Sequence, residues 1–529
     1  MTMPAETALA AVPPYNATVE LLNHNLAAGR AEKLAFVDDD GAYTYREVAE
    51  RVDRCANALR EFGLQPSDRV VLGLLDSIAF PTAFLGAIKA GIVPIPVNTM
   101  FRAADFAYIL ENSGATAAIV SHAVYPAYEE AARSIAWRGR FIIANGREPS
   151  RPTFDDLVAA ADATAQTAPT SADATCFWLY SSGSTGKPKG TLHRHASLMH
   201  TAAAFGQGVL GLREDDVVYS AAKLFFAYGL GNALTFPLSV GATSVLFAGR
   251  ALPEAVVDIL ARRGATVFCG VPTLFSSMLA SEAFAQRGAL ALRLCTSAGE
   301  SLPQHVGEAW RSQTGVDIVD GIGSTEMLHI FVSTRPGDVR YGVTGYPVPG
   351  YRARIVDESG NEAARGEMGE LLVSGPSAFS LYWDAPEKTR GAFSGEWVRT
   401  GDKFLQNEDG AFVHCGRVDD MIKAGGIWVS PSEVESVLIG HEAVLEAAVI
   451  GVPDANDLVK PKAFVVLRAG YAPSAALRDD LQAFVKGRLA PYKYPRWLEF
   501  VEDLPKTATG KIRRHVLRDR EAELRAAAK

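Results

Sequence analysis

The chain has 529 residues, 48% of them hydrophobic, and a formal net charge of -8 at pH 7. Such a length and apolar content can fill several buried cores, and the acidic balance argues against a nucleic-acid partner, since phosphate backbones favour basic surfaces. Five widely spaced cysteines without a Cys-x-x-Cys pair indicate a reduced, cytoplasmic compartment. We expect neither a secretory signal nor a membrane span, because no basic segment precedes an apolar core near residue 1 and glycines interrupt the uncharged stretch 224–249.

Helical and strand-like segments alternate from residue 44 onwards, which is the pattern of a parallel sheet covered by helices. Apolar residues at positions 48, 52, 55, 56 and 59 share one helical face, and Gly63 ends that helix. Apolar runs predict an apolar helix near 77–90 and buried strands at 70–75, 92–97, 117–120 and 141–143.

The second half of the chain predicts three further units. A second α/β unit begins near residue 214, with strands at 244–247 and 265–268, and short strands between 352 and 415 predict a small β-rich subdomain. A compact α+β module follows, whose first helix has Ser430 as N-cap and Glu433 completing a capping box. The predicted fold class is α/β, with a large N-terminal domain (1–418) of two parallel-sheet α/β subdomains and a small β-rich subdomain, followed by an α+β C-terminal domain (419–529).

Residues 180–190, YSSGSTGKPKG, are the most informative stretch and are called the phosphate loop below. Glycines let a backbone fold closely around phosphate oxygens, hydroxyl side chains donate hydrogen bonds, and Lys187 and Lys189 supply positive charge. The stretch is not a Walker A loop, because Pro188 follows Lys187 where that motif has Ser or Thr. A solvated Ser/Gly linker is the alternative, but the strand-like run 177–180 before it favours a phosphate site.

Four further segments follow in the chain: GIGSTE at 321–326, RTGD at 399–402, GRVDDMIKAGG at 416–426 and PKTATGK at 505–511. Together with the phosphate loop they resemble the acyl-adenylate-forming superfamily of acyl-CoA synthetases, peptide-synthetase adenylation domains and firefly-type luciferases. The resemblance implies a reaction that joins a carboxylate to the α-phosphate of ATP and then passes the acyl group to a thiol. It also implies a mobile C-terminal domain that moves about a hinge at Asp419.

The resemblance implies three catalytic residues. Lys511 would bridge the substrate carboxylate and the α-phosphate, Thr325 would touch that phosphate, and Glu326 would hold Mg²⁺. Asp402 would accept both ribose hydroxyls, with Arg417 beside the ribose or the phosphates. Without the other motifs, three of these residues have an ordinary alternative interpretation. Lys511 could belong to a solvated basic tail, Glu326 could be a surface carboxylate, and Asp402 could be a turn residue after Gly401. The residues expected to bind ATP are Ser181, Ser182, Gly183, Ser184, Thr185, Gly186, Lys187, Ala298, Gly299, Glu300, Asp320, Gly321, Asp402 and Arg417. Among them, the segment Ala298-Gly299-Glu300, called the adenine segment below, is expected to lie against the adenine.

The resemblance also implies that coenzyme A reaches the site past Lys423, Gly425, Gly426 and Trp428, where glycines would let a thin chain pass close to the backbone. The segment 505–511 also resembles the motif recognised by acetyltransferases that silence acyl-CoA synthetases, which makes an acetyltransferase acting on Lys511 a candidate partner. Relatives in this superfamily are often dimers, which leaves a homodimer open.

The acyl group is expected to lie in a slot, called the acyl slot below, formed by Phe226, Ala227, Tyr228, Gly323, His329 and Ile330. Amino-acid-activating relatives have an Asp in place of Ala227 to pair with the substrate ammonium, so an uncharged acid is favoured here. The aromatic side chains favour a flat ring, although plain core packing is the alternative.

The run 324–351 resembles benzoate-CoA ligases and related aryl-CoA synthetases. The expected reaction converts benzoate, ATP and CoA into benzoyl-CoA, AMP and pyrophosphate through a benzoyl-adenylate. A hydroxybenzoate, a cinnamate or a medium-chain acid is the alternative substrate, and a luciferase-like oxygenase shares the same motifs. The chain departs from the superfamily at Ile322, where an aromatic residue usually precedes Gly323, so only packing is expected of Ile322.

Overall fold

The computed structural model describes residues 14–181, 187–424, 427–454, 458–506 and 512–527. Its first sheet contains the four predicted strands, all parallel, in the spatial order Val93–Pro96, Arg69–Gly73, Ala117–Ser121 and Arg140–Ala144. The strand residues are nearly all buried, as in a parallel sheet that is covered on both faces.

This sheet separates two apolar cores. Val70 and Leu72 face the core that contains the predicted helix Tyr45–Glu61, which begins with a capping box of Thr44 and Glu47. Val71, between them in sequence, faces the other core, as the two-residue period of a strand requires. The remaining helices of this part of the chain are Ala17–Ala27, Ala79–Ala90, Ala103–Ser113, Tyr125–Ser134, Phe154–Ala160 and the 3₁₀ turn His122–Val124.

An antiparallel hairpin of strands Thr175–Ser181 and Lys189–Arg194 flanks the phosphate loop. Ser181 stands opposite Lys189 in the register, so the hairpin brings the two ends of the loop together. The predicted strand before the loop is thereby confirmed, whereas the strand after it was not predicted.

The second sheet has nine strands, parallel in the centre and antiparallel at both edges. Their spatial order is Tyr346–Pro347, Ile330–Ser333, Ile318–Gly323, Leu294–Ala298, Val267–Gly270, Val217–Ser220, Thr243–Val245, Leu34–Val37 and Ala42–Thr44. The last two come from the N-terminal region and tie the two α/β subdomains together. The helical segments are His195–Thr201, Ala227–Leu230, Phe236–Val240, Pro253–Arg262, Pro272–Leu279, Glu282–Ala285, Gln304–Thr314 and the π-helical turns Ala202–Gln207 and Gly231–Thr235.

The predicted β-rich subdomain is also present. Its strands are Arg352–Val356, Gly369–Ser374, Phe393–Ser394, Trp397–Gln406 and Phe412–Arg417, with one helix, Pro386–Ala392. All strand pairs in this sheet are antiparallel.

An α+β unit follows the 3₁₀ turn Val418–Asp420. It contains the hairpin Ile422–Ala424 and Ile427–Val429, a sheet of Val444–Pro453, Val459–Leu467 and Trp497–Phe500, and helices Pro431–Ile439, Ala475–Lys486 and Arg514–Ala527. The predicted fold class is confirmed, and the boundary at 418/419 stays a prediction.

Ser430 caps helix Pro431–Ile439 by accepting the N–H of Glu433 at 3.2 Å, as predicted. The predicted capping box is wrong in its second half, because the Glu433 carboxylate pairs with Lys493 Nζ at 2.6 Å. An ammonium 60 positions along the chain attracts the carboxylate more strongly than a backbone N–H does. Within the described ranges, no helix has the length and apolar content needed to cross a bilayer.

Candidate active site

Glu326 lies where the phosphate loop begins. Its Oε1 accepts a hydrogen bond from the Tyr382 hydroxyl at 2.7 Å and a longer one from Ser181 Oγ at 3.3 Å. Between Thr325 and Leu328 the chain turns sharply, with a Leu328 N–H to Thr325 O bond of 3.0 Å and a Leu328 φ of 65°. This turn directs Glu326 back towards Ser181. The interpretation of Glu326 as an ordinary surface carboxylate is therefore not favoured.

Two side chains lie beside Glu326: Lys189, which belongs to the predicted phosphate loop, and Tyr382, which was not predicted as a site residue. Tyr382 is 5% exposed, and Lys189 Nζ lies 4.1 Å from the centroid of its ring. Burial lowers the pKa of Lys189, and the Glu326 carboxylate counteracts that effect. Lys187, whose predicted role in ATP binding stays a prediction, lies over the ring of Tyr108 with Nζ 4.8 Å from the centroid. Of the two loop lysines, Lys189 is therefore the one with an electrostatic interaction with Glu326 in the described part of the chain.

Other predicted loop residues, Ser182, Gly183, Ser184, Thr185 and Gly186, lie outside the described residues, as do Gly425, Gly426 and Lys511. Lys423 and Trp428 stand opposite each other in the hairpin that follows the 3₁₀ turn, where only their backbone is described. The roles of all these residues stay predictions.

Asp402 lies within a strand and is 5% exposed, so the interpretation as a turn residue is wrong. It stands opposite Arg417 in the β-rich sheet, and Arg417 Nη1 donates to both of its carboxylate oxygens at 3.2 and 3.3 Å. The Asp402 carboxylate raises the pKa of Arg417. Gly401, with a φ of 71°, supplies the backbone bend that turns Asp402 into this pair.

His414, which the sequence analysis did not select, lies on the other side of Asp402. Its Nε2 is 3.5 Å from Asp402 Oδ1, and its Nδ1 is 2.9 Å from Ser301 Oγ. Ser301 follows the predicted adenine segment Ala298-Gly299-Glu300 directly in the chain. His414 therefore links the predicted ribose and adenine positions across two subdomains.

The predicted adenine segment lies at the carboxyl ends of two neighbouring parallel strands. Ala298 stands opposite Gly321, and Gly299 follows with a φ of 98° that favours glycine. In open α/β sheets this edge is the usual position of ligands. Asp320 Oδ1 is buried without a hydrogen-bond partner in the described part of the chain, and burial raises the pKa of Asp320 to about 8. Asp320 is therefore protonated at neutral pH.

In the acyl slot the side chains surround a buried histidine. His329 is 3% exposed, its Nε2 donates to Tyr228 O at 3.3 Å, and burial lowers its pKa to about 3, so the ring is neutral. Its ring packs on those of Tyr228 and Phe236, with centroids 5.5 and 4.5 Å away. Ala227 and His329 line the same narrow internal cavity.

The other predicted acyl-slot residues are Gly323, Ile330 and Phe226. Ile330 is buried, and Gly323 lies so close to His329 that an added Cβ would stand 2.6 Å from the His329 carbonyl oxygen. Phe226 is half-buried and packs on Phe225 at 4.5 Å between ring centroids. The structure therefore places Gly323 opposite Ile330 and close to His329, and Ile330 and Tyr228 pack in one apolar core. Phe226 packs against the core that contains helix Tyr45–Glu61.

The charged side chains on the two sides of the predicted hinge pair with different parts of the chain. Arg417 pairs with Asp402 in the β-rich sheet, whereas Asp420 pairs with Arg518 Nη1 at 2.6 Å and with Arg514 Nη1 at 3.5 Å. Arg514 also forms a bidentate pair with the buried carboxylate of Glu435, at 3.1 and 2.6 Å. Asp419 lies between these two sets of contacts.

The carboxylate of Glu326 also fits a role as a magnesium ligand. Both hydrogen bonds to it from described residues reach Oε1, and none of them reaches Oε2. Magnesium is usually bound by one or two protein carboxylates together with the phosphates of a substrate. An oxygen of this kind, next to the phosphate loop, has the required chemistry.

Comparison with known proteins gives a family match over most of the chain. Residues 24–383 match the AMP-binding enzyme family, and residues 433–511 match the AMP-binding enzyme C-terminal domain. The chain is 56% identical to benzoate–CoA ligase of Thauera aromatica over 95% of this chain and 96% of that protein. It is 46% identical to 4-hydroxybenzoate–CoA/benzoate–CoA ligase of Rhodopseudomonas palustris, over 96% and 94%.

Solved structures are similar over nearly the full length. A benzoate CoA ligase from Burkholderia xenovorans LB400 has a TM-score of 0.90 at 50% identity, covering 95% of this chain and 100% of that chain. An anthranilate CoA ligase in complex with anthranoyl-AMP has a TM-score of 0.93 at 41% identity, covering 99% and 100%.

Proposed function

The chain belongs to the AMP-binding enzyme family, and from this premise we propose that it is an ATP-dependent benzoate-CoA ligase. It would convert benzoate, ATP and CoA into benzoyl-CoA, AMP and pyrophosphate through a benzoyl-adenylate. One observation carries the proposal: the short segment 323–330 contains both Glu326, beside the phosphate loop, and His329, in the wall of a buried aromatic slot. A flat carboxylic acid in that slot would present its carboxylate towards the nucleotide.

The acyl slot supports an uncharged aromatic acid. Ala227 offers no counter-charge for an ammonium group, and His329 is neutral and buried, so an amino acid would place an unpaired cation in an apolar site at high cost. The rings of Tyr228, His329 and Phe236 suit the offset or edge-on packing that a benzene ring prefers.

ATP would lie across the edge formed by the phosphate loop, the adenine segment and the β-rich sheet. Asp402 would accept the ribose hydroxyls, and Arg417 and His414 hold its carboxylate in place from two sides. Protonated Asp320 would face the base without adding a negative charge beside an anionic substrate. Glu326 would hold Mg²⁺, which when bound supplies positive charge to the phosphates.

Attack of the benzoate carboxylate on the α-phosphate brings two anions together, so the site must provide cations and donors where charge builds up. We assign that task to Lys511, with Thr325 as a donor to the same phosphate. A compact ammonium on a flexible stem can enter a site built by another domain. Lys189, beside Glu326, would add positive charge at the phosphates.

The second half-reaction would use coenzyme A, with the pantetheine passing Lys423, Gly425, Gly426 and Trp428. We propose that a hinge at Asp419 moves the C-terminal domain (419–529) between the half-reactions relative to the N-terminal domain (1–418). The contacts of Arg417 with Asp402 on one side and of Asp420 with Arg514 on the other support a pivot between them.

A pyrophosphate-release assay with benzoate, hydroxybenzoates, cinnamate, octanoate and amino acids, with and without CoA, tests the proposal. Benzoate should give the highest kcat/KM, amino acids and octanoate should give none, and benzoyl-CoA should form only when CoA is present. A preference for an aliphatic acid, or light emission with oxygen consumption, would overturn the assignment.

A hydroxybenzoate is the second candidate substrate. The Tyr228 hydroxyl is buried without a partner among the described residues, and it could pair with a ring hydroxyl. A protein 46% identical to this chain is named for both benzoate and 4-hydroxybenzoate.

We also propose a cytoplasmic location, assembly as a homodimer, and regulation by an acetyltransferase that removes the charge of Lys511.

A further inference from the structure

Tyr382 is held rigidly beside the phosphate loop by backbone pairing. The Trp383 N–H donates to Gly190 O at 2.8 Å, and the Ser380 N–H donates to Leu192 O at 2.9 Å. Residues 380–383 therefore run alongside the strand Lys189–Arg194 that follows the loop. The Trp383 indole also packs on Trp178, with ring centroids 4.7 Å apart. Because the backbone on both sides of Tyr382 is anchored in this way, Tyr382 has little freedom to follow Glu326 if the carboxylate moves.

Residues 379–383 contact Glu326 at two points. The Phe379 N–H donates to the backbone oxygen of Glu326 at 2.7 Å, and the Tyr382 hydroxyl donates to Oε1 at 2.7 Å. Burial and the nearby carboxylate raise the pKa of Tyr382. Lys189 Nζ lies over the ring of Tyr382, 4.1 Å from its centroid, so the cation–π contact adds to the constraint on the ring.

These contacts distinguish the two oxygens of Glu326. Tyr382 and Ser181 both donate to Oε1, and none of the described residues donates to Oε2. We propose that Tyr382 is a positioning residue that occupies Oε1 of Glu326 and so presents Oε2 to the magnesium ion that accompanies ATP. The inference rests on the proposed ATP-dependent reaction and adds to it the residue that orients the metal-binding carboxylate.

Binding of α,β-methylene ATP, measured by calorimetry with Mg²⁺ and again in EDTA, tests the inference without turnover. In Tyr382→Phe the Mg²⁺-dependent gain in affinity should fall about tenfold, because a hydrogen bond to a charged group is lost while the ring under Lys189 remains. Affinity in EDTA should not change. Tyr45→Phe is the matched control, since it removes an equally short buried bond, Tyr45 hydroxyl to Ala242 O at 2.7 Å, far from Glu326.

A double-mutant cycle with Glu326→Gln separates positioning from general structural damage. If Tyr382 acts through Glu326, then adding Tyr382→Phe to Glu326→Gln should weaken Mg²⁺-dependent binding little further. An unchanged Mg²⁺ dependence in Tyr382→Phe, or equal losses in both backgrounds, would overturn the inference. If wild-type protein binds the magnesium nucleotide but forms no benzoyl-adenylate, the proposed function fails and the positioning role of Tyr382 stands.

Discussion

Replacing Gly231 by alanine should push the His329 ring into the acyl slot and so narrow the slot. Gly231 begins the π-helical turn Gly231–Thr235, directly beneath the ring of His329. A methyl group at this position would stand 2.7 Å from His329 Nε2 and 2.9 Å from Phe236 Cζ. Both distances fall about 1 Å short of a favourable contact, so one of the two rings must move.

His329 is the ring expected to move, and its movement is costly. It would lose the bond from Nε2 to Tyr228 O, worth about 1 kcal/mol, in addition to an overpacking cost of about 1–3 kcal/mol. Displaced from Gly231, the imidazole would enter the space assigned to the benzene ring. We therefore expect the KM for benzoate to rise at least about tenfold, which corresponds to about 1.4 kcal/mol, while the KM values for ATP and CoA stay unchanged.

Pyrophosphate release at saturating ATP and CoA, with benzoate varied, measures this effect. Gly391→Ala is the control, because Gly391 also lies in a helix and an added Cβ there meets nothing within 4 Å. It should be neutral or slightly stabilising. In a His329→Ala background, the Gly231 substitution should add little, since the clashing ring is gone. A wild-type KM for benzoate in Gly231→Ala, or the same increase in both backgrounds, would refute this reasoning.

Three further changes test other parts of the site. Lys511→Ala should slow benzoyl-adenylate formation by about 10²–10³-fold yet leave thioester formation from supplied adenylate largely intact; equal loss of both half-reactions would contradict its assignment. Asp402→Asn should raise the KM for ATP by about tenfold or more, with benzoate KM as the internal control. Burial raises the pKa of the Asp320 carboxyl to about 8 in the folded chain, whereas its pKa in the unfolded chain is about 4. Between these two pH values only the folded chain holds the proton, so the free energy of unfolding should fall as the pH rises from about 4 to about 8. The melting temperature of Asp320→Asn should therefore depend less on pH over this range than that of the wild type. Identical pH profiles for the two proteins would refute the prediction.

Much of the fold could be predicted because its signals are local. The strands at 70–75 and 117–120 are short apolar runs, and Ser430 caps a helix that starts one residue later, so neighbours in sequence suffice to identify them. The strand Leu34–Val37 shows the limit of such signals. In the second sheet it pairs with strand Thr243–Val245, which lies far away in the sequence. A short window of sequence cannot reveal a pairing between such distant segments.

The same division holds within the candidate site. The composition of the phosphate loop predicted a nucleotide, the resemblance carried by five motifs predicted a magnesium carboxylate, and Ala227 predicted an uncharged acid. Tyr382 and His414 were missed because neither belongs to a motif used in that prediction, and each gains its importance from a partner far away in the chain, Glu326 or Asp402. Glu433 was misassigned for the same reason, since its partner is Lys493.

Sequence alone therefore determined which chemical groups this protein has and which local backbone shapes present them. Tertiary structure decided which groups meet: Oε1 of Glu326 with the Tyr382 hydroxyl, Asp402 with Arg417, and His329 with the backbone of Tyr228. The physical reason is range. Turns, caps and strand periodicity depend on neighbours a few residues apart, whereas hydrogen bonds and ion pairs at a site act over a few ångströms between residues that only folding brings together.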